Sequence, residues 1–300
     1  MRGPNLHGIL VPHVTPFTRQ GELDEEALRT CVRFWLEGGV SGLVPCGSNG
    51  EAPYLSREER QKVIETVVDE ADGKVPVVAG TGSLSTRETI MFTKDAKDLG
   101  VDAALVVTPF YYKLSGREVY EHYSVLLEAV DLPIVLYSVP KFTGFPLEPS
   151  TISQLAGQYE NVVGIKDSSG SIGTIAEIIR LVNGSVSVLA GAADVTVPAL
   201  MLGASGSIIA VANVFPEISR LYEAFKKDNY EEAIRLQQHV SYLNEILVKR
   251  HNQLSAIKEA LRIRGLPSGY PRRPVLPLKS EEKKGIKTLL KDVPQHFSEN

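Results

Sequence analysis

The chain has 300 residues, 43% of them hydrophobic and 23% charged, and its 32 Lys+Arg against 36 Asp+Glu leave a net charge of −4. That near balance argues against a dedicated nucleic-acid binder, which carries a basic excess, and no apolar run approaches the roughly 18 residues of a membrane-crossing helix. Cys31 and Cys46 make neither a disulfide framework nor a CxxC pair, and residues 1–13 lack the h-region and cleavage site of a signal peptide, so a cytoplasmic protein with reduced thiols is expected.

Nearly continuous runs of Val, Ile and Leu fall at 9–14, 42–46, 75–79, 103–108, 133–139, 162–166, 186–190 and 207–211. Such runs suit parallel strands covered on both faces. Helical patterns fill the intervals, at 24–37, 57–71, 86–99, 117–129, 149–156, 172–182, 195–202 and 216–227. Ser56 with Glu59, and Ser85 with Glu88, read as capping boxes. Gly38-Gly39, Gly100 and Gly203 stand where a left-handed residue ends a helix. Strand then helix, repeated eight times, predicts an α/β protein with a (β/α)8 TIM barrel. A doubly wound sheet that binds a dinucleotide should open with a Gly-rich turn after its first strand, and Val14-Thr15-Pro16-Phe17 stands there instead. Past residue 228 the strand pattern stops. Helices at 230–249, 253–264 and 280–291, with a Pro-rich stretch at 267–277, give a C-terminal helical region (229–300) appended to a catalytic barrel (1–228).

In a barrel the active face lies at the C-terminal ends of the strands. Lys166 closes the run Val162-Val163-Gly164-Ile165-Lys166. Burying an ammonium is costly, which favours the neutral amine that can attack a ketone or aldehyde. A Lys paired with a carboxylate, or gripping a substrate phosphate, fits the same position. Tyr137 ends the preceding strand, where its ring could fill the barrel mouth or its hydroxyl move protons beside Lys166. Gly47-Ser48-Asn49-Gly50-Glu51 follows the second strand, and its backbone N–H groups could converge on an anion, although a polar turn has the same composition. Gly80-Thr81-Gly82-Ser83 is a weaker signal of the same kind. Thr108-Pro109-Phe110-Tyr111-Tyr112 places aromatics after the fourth strand, for packing or for a subunit contact. His7, His13, His122, His239, His251 and His296 make no metal-binding pair. There is no GxSxG elbow, and Arg272-Arg273 in the Pro-rich stretch reads as solvated or structural.

Taken in register, Gly47-Ser48-Asn49-Gly50-Glu51, Thr108-Pro109-Phe110-Tyr111-Tyr112, Tyr137-Ser138-Val139-Pro140 and Gly164-Ile165-Lys166-Asp167-Ser168 resemble the dihydrodipicolinate synthase/N-acetylneuraminate lyase family over essentially the whole chain. The resemblance implies a class I aldolase or synthase that needs no cofactor or metal, in which Lys166 forms an imine with pyruvate and Tyr137 donates and accepts protons. It implies that Ser48 links Tyr137 to Tyr111 from a neighbouring subunit, within a homotetramer built as a dimer of dimers. Ser48 and Asn49 match the positions that hold the pyruvyl carboxylate, while Gly191 and the Ile208 carbonyl match positions lining the pyruvyl pocket. Three departures bear on the second substrate, an aldehyde. Phe142 replaces the synthases' carboxylate-gripping Arg, and it cannot make a bidentate contact, so poor use of aspartate semialdehyde is expected. Ser168 replaces a small apolar residue, and its hydroxyl suits a substrate 4-hydroxyl or 4-oxo group. Ala192 and Ala193 replace the lyases' acidic residues. Tyr137-Ser138-Val139-Pro140 with Gly47-Ser48-Asn49-Gly50-Glu51 resembles most nearly the 4-hydroxy-2-oxoglutarate aldolase branch, which implies a 4-hydroxy-2-oxo acid aldolase. The alternatives are a 4-hydroxy-tetrahydrodipicolinate synthase, a 2-keto-3-deoxy-sugar-acid aldolase, or a catalytically idle 2-oxo-acid-binding relative.

Overall fold

A computed structural model describes residues 3–4 and 6–292 of the chain. Residues 293–300 of the expected helical region, His296 among them, lie outside the described residues. The strands are β1 (Gly8–Val11), β2 (Gly42–Leu43), β3 (Val78–Gly80), β4 (Ala103–Val107), β5 (Ile134–Ser138), β6 (Val162–Asp167), β7 (Ser187–Ala190) and β8 (Gly206–Ile208). They run parallel in the order β2-β1-β8-β7-β6-β5-β4-β3. The ring closes between its end strands. Leu43 bridges to Val77, the Leu43 N–H donates to the Pro76 carbonyl (3.0 Å), and the Gly80 N–H donates to the Pro45 carbonyl (2.8 Å). This is the predicted (β/α)8 barrel.

The early end of β2 has a cause in the chain chemistry. β2 stops short of residue 46 because Pro45 has no N–H to give and Cys46 turns into the left-handed region at φ 54°. β8 ends at Ile208, and the chain passes into a 3-10 turn, Ala210–Asn213. Where β1 and β8 meet, a Cβ on Gly206 would lie 2.1 Å from the Gly8 carbonyl oxygen, so only glycine lets these strands pair at that point. Helix starts follow the capping signals. Ser56 accepts from the Glu59 N–H (3.2 Å) while the Glu59 carboxylate accepts from the Ser56 N–H (2.9 Å). At Ser85 only half the box forms, because the Glu88 carboxylate takes the Ser83 and Ser85 hydroxyls instead of the Ser85 N–H. The expected long helix from residue 230 is α-helical over Tyr230–Asn244 and then widens into a π-helical turn, Glu245–Arg250.

Strand alternation sorts the core into two layers. On β5, Ile134 and Leu136 face the helices, whereas Val135 and Tyr137 belong to the barrel interior with Leu10, Val44, Val78, Leu105, Leu189 and Ile208. Two histidines are buried in the outer shell. His13 stacks on Trp35 at 4.9 Å, and His122 meets the Thr86 hydroxyl through Nδ1 at 2.9 Å. Burial pushes both imidazoles down to about 4 from 6.5. Between those two values the unfolded chain holds protons on these rings that the folded chain does not. Stability therefore rises with pH across this window and is lost as pH falls through it. A His122→Asn variant, near in size but unable to titrate, should show a urea midpoint that falls less steeply than wild type from pH 6.5 to about 4. Identical slopes would contradict the neutral-ring account.

Candidate active site

Lys166 and Tyr137 are cross-strand partners in the β5–β6 register. Both side chains are buried, and the Lys166 Nζ stands 4.3 Å from the centre of the Tyr137 ring. Burial pushes the Tyr137 phenol up, but the Lys166 charge and hydrogen bonds with Ser48, Ser168 and Lys166 outweigh it and hold the phenol below its ordinary value of 10.0. Three of the expected site residues thus act on the hydroxyl of a fourth. The alternation along β6 sends Asp167 the other way, where Ser169 binds its Oδ1 through both N–H (3.1 Å) and hydroxyl. Burial raises the Asp167 carboxyl.

Gly191, just after β7, makes this convergence possible. A Cβ there would lie 1.9 Å from the Ser168 Oγ and 3.0 Å from the Lys166 Cε. Ile208 is fully buried in the same interior cluster as Tyr137. Asn49 is buried beside Ser48, and its Oδ1 accepts from Gln253 Nε2 at 2.5 Å. Tyr111 does not join the group within one chain. It is 83% exposed at φ 87°, packed edge-on against Tyr112 with ring centres 5.0 Å apart.

A cavity of about 620 Å³ opens over Tyr137 and Ser48. Phe110, Lys141 and Phe142 line it from the barrel loops, and Lys249, His251 and Gln253 from the C-terminal region. Phe142 sits on a short helix, Pro140–Thr143, in place of a simple turn, and the Lys141 Nζ lies 5.4 Å from the centre of its ring. Beyond Ala192 and Ala193, the Asp194 carboxylate is already taken by Lys249 (2.5 Å) and Asn244. Among the described residues no group of three or more His, Cys, Asp or Glu is placed to hold a metal ion, and no helix is long and apolar enough to cross a membrane.

The sequence patterns missed the contribution of the C-terminal region. Lys258 and Glu51 form a fully buried ion pair at 2.5 Å. Burial pushes the Lys258 ammonium down to about 8, against the pull of the Glu51 carboxylate. Arg272 is structural: its guanidinium forks onto Glu59 at 2.7 and 2.6 Å and lies 4.0 Å over the Phe17 ring.

Comparison with known proteins settles what kind of barrel this is. Residues 5–293 match the dihydrodipicolinate synthetase family. The chain belongs to that family. A 4-hydroxy-tetrahydrodipicolinate synthase from Methanothrix thermoacetophila is 40% identical over 287 residues, covering 95% of this chain and 96% of the relative. Among solved structures, the pyruvate complex of the Acinetobacter baumannii dihydrodipicolinate synthase is 37% identical at a TM-score of 0.92, covering 96% of this chain and 99% of that one. YagE, a prophage protein of this family from E. coli K12, also in complex with pyruvate, is 32% identical at a TM-score of 0.93 with the same coverage. Family membership makes this chain a lyase that works through a lysine Schiff base with pyruvate.

The crowding at Gly191 gives a test of the pocket. Gly191→Ala should slow pyruvate-dependent inactivation by borohydride roughly 100-fold, the scale of a 1 Å misplacement at a reacting group, with a native circular-dichroism spectrum. An unchanged rate would mean that Ser168 and Lys166 move aside freely.

Proposed function

We propose that Lys166 is the Schiff-base lysine and that the chain makes or breaks a C–C bond between pyruvate and an aldehyde. The observation that carries this is the buried Lys166 amine against Tyr137, whose phenol is held low by Lys166, Ser48 and Ser168. The Lys166 Nζ adds to the pyruvate C2 carbonyl. Tyr137 gives a proton to the hydroxyl that leaves as water, and the iminium forms. The Tyr137 phenolate then takes a methyl proton to give the enamine, whose carbon attacks the aldehyde while Tyr137 passes that proton to the developing alkoxide. Hydrolysis of the imine frees the product and the amine. Backbone and side-chain donors of Ser48 and Asn49 hold the pyruvyl carboxylate, and Gly191 and Ile208 shape the pocket around it. Tyr111 from a neighbouring copy completes the proton path, which its exposure in the single chain supports. At least a dimer is then needed, and a homotetramer is the expected form.

For the aldehyde, the names of the relatives favour a 4-hydroxy-tetrahydrodipicolinate synthase over the 4-hydroxy-2-oxo acid aldolase suggested by the sequence. The aldolase reading retains one specific support. Phe142 lines the cavity where a carboxylate-gripping Arg would otherwise stand, with Ser168 beside the amine.

A paired assay separates these readings. The synthase reading predicts that pyruvate with aspartate semialdehyde turns over faster than a 4-hydroxy-2-oxo acid releases pyruvate; the reverse order favours the aldolase. Lys166→Ala should abolish both, and Tyr137→Phe should slow both by roughly 100-fold or more. Imine formation without turnover on either substrate would leave the idle-binder reading. Sedimentation should find no monomer at assay concentrations, and a fully active monomer would remove Tyr111 from the mechanism.

A further inference from the structure

The loop after β2 is held from far along the chain. Residues 47–51 are bracketed by Cys46 at φ 54° and Glu51 at φ 56°. Both carry side chains in the left-handed region, a conformation that persists only where the surroundings fix it. The fixing groups lie on or just after one C-terminal helix, Gln253–Ile263. Gln253 Nε2 reaches back 204 positions to donate to Asn49 Oδ1 at 2.5 Å. Lys258 Nζ reaches back 207 positions to Glu51 Oε1 at 2.5 Å. The other oxygen of Glu51 accepts from the Arg272 N–H at 2.8 Å. Lys258 is itself set by the Tyr270 carbonyl at 2.8 Å and by the Phe17 ring, 4.5 Å away. From the barrel side, the Thr15 hydroxyl donates to the Gly50 carbonyl at 2.8 Å. These anchors take side-chain atoms and one carbonyl. None of them takes the Ser48 or Asn49 N–H.

We propose that Gln253 and Lys258 are positioning residues for pyruvate. The C-terminal helix clamps loop 47–51 in the one conformation that presents Ser48 and Asn49 to the pyruvyl carboxylate, so it belongs to the catalytic apparatus. This rests on the reading of that loop as the carboxylate site. The competing role for the same contacts is docking, with the ion pair merely fastening a helix to the barrel. The two roles separate experimentally. Docking reads out in thermal stability, whereas positioning reads out in the pyruvate concentration needed to form the imine. A buried ion pair can be exchanged whole for apolar residues with stability kept, whereas removing one partner orphans a buried charge. The informative proteins are therefore Gln253→Leu, at a half-buried position, and the double variant Glu51→Leu/Lys258→Met.

The full-length proteins are titrated with pyruvate, reduced with borohydride and scored by mass for labelling at Lys166, with thermal unfolding in parallel. Both variants should reach the wild-type extent of labelling at saturating pyruvate. Each should need about tenfold more pyruvate for half-maximal labelling, a shift worth about 1.4 kcal/mol, and the Gln253→Leu unfolding midpoint should match wild type. Wild-type half-saturation in Gln253→Leu overturns the clamp, whatever the double variant does, and leaves the helix a docking element. If the double variant fails to fold, Gln253→Leu decides alone. A wild-type protein that takes no label at Lys166 instead overturns the assignment of the amine, and the clamp falls with it.

Discussion

An amine and a phenol, buried side by side at the ends of two neighbouring strands, set the terms for the rest of this molecule. The β5–β6 register pairs Tyr137 with Lys166, and the strand period turns both into the barrel. A one-residue slip would send the Lys166 side chain into the outer layer, where Asp167 now lies. Burial alone would raise the phenol. The Lys166 charge and the hydrogen bonds with Ser48 and Ser168 reverse that shift and hold the phenol below its ordinary value beside the amine. Gly191 is glycine for the same reason, since Ser168 and Lys166 occupy the space its Cβ would need.

The second constraint acts at long range. The barrel supplies the amine and the phenol from adjacent strands, but the loop at 47–51 also makes side-chain contacts with residues more than 200 positions away. The C-terminal region also reaches the cavity wall through Lys249, His251 and Gln253. A boundary at residue 228 thus divides secondary-structure patterns, while the cavity wall draws residues from both sides of it.

What could be read from the sequence follows the range of the interaction. The eight strands, most helix limits and the strand-end positions of Lys166 and Tyr137 come from local apolar runs and caps, and these appear in the structure close to where the pattern puts them. The early end of β2 has a local cause, Pro45 with the turned Cys46, that an unbroken apolar run conceals. The Glu51–Lys258 pair was not legible at all. Glu51 closes a motif visible in the sequence, but nothing there marks Lys258 as its partner, and only the fold brings them to 2.5 Å. Arg272, read as solvated or structural, is structural, because Phe17 and Glu59 enclose it. Tyr111 is the opposite case: its motif is plain in the sequence, yet in a single chain its side chain faces outward.

The proposed chemistry requires that Lys166, and no other lysine, be the amine that binds the electrophile. Proteolysis of borohydride-reduced, pyruvate-treated protein, followed by fragment-ion mapping, tests it directly. The reduced pyruvyl group should map to Lys166 alone, with Lys141, Lys249 and Lys258 unmodified. A label on any of those three with Lys166 free would contradict that assignment and move the chemistry away from the β5–β6 pair.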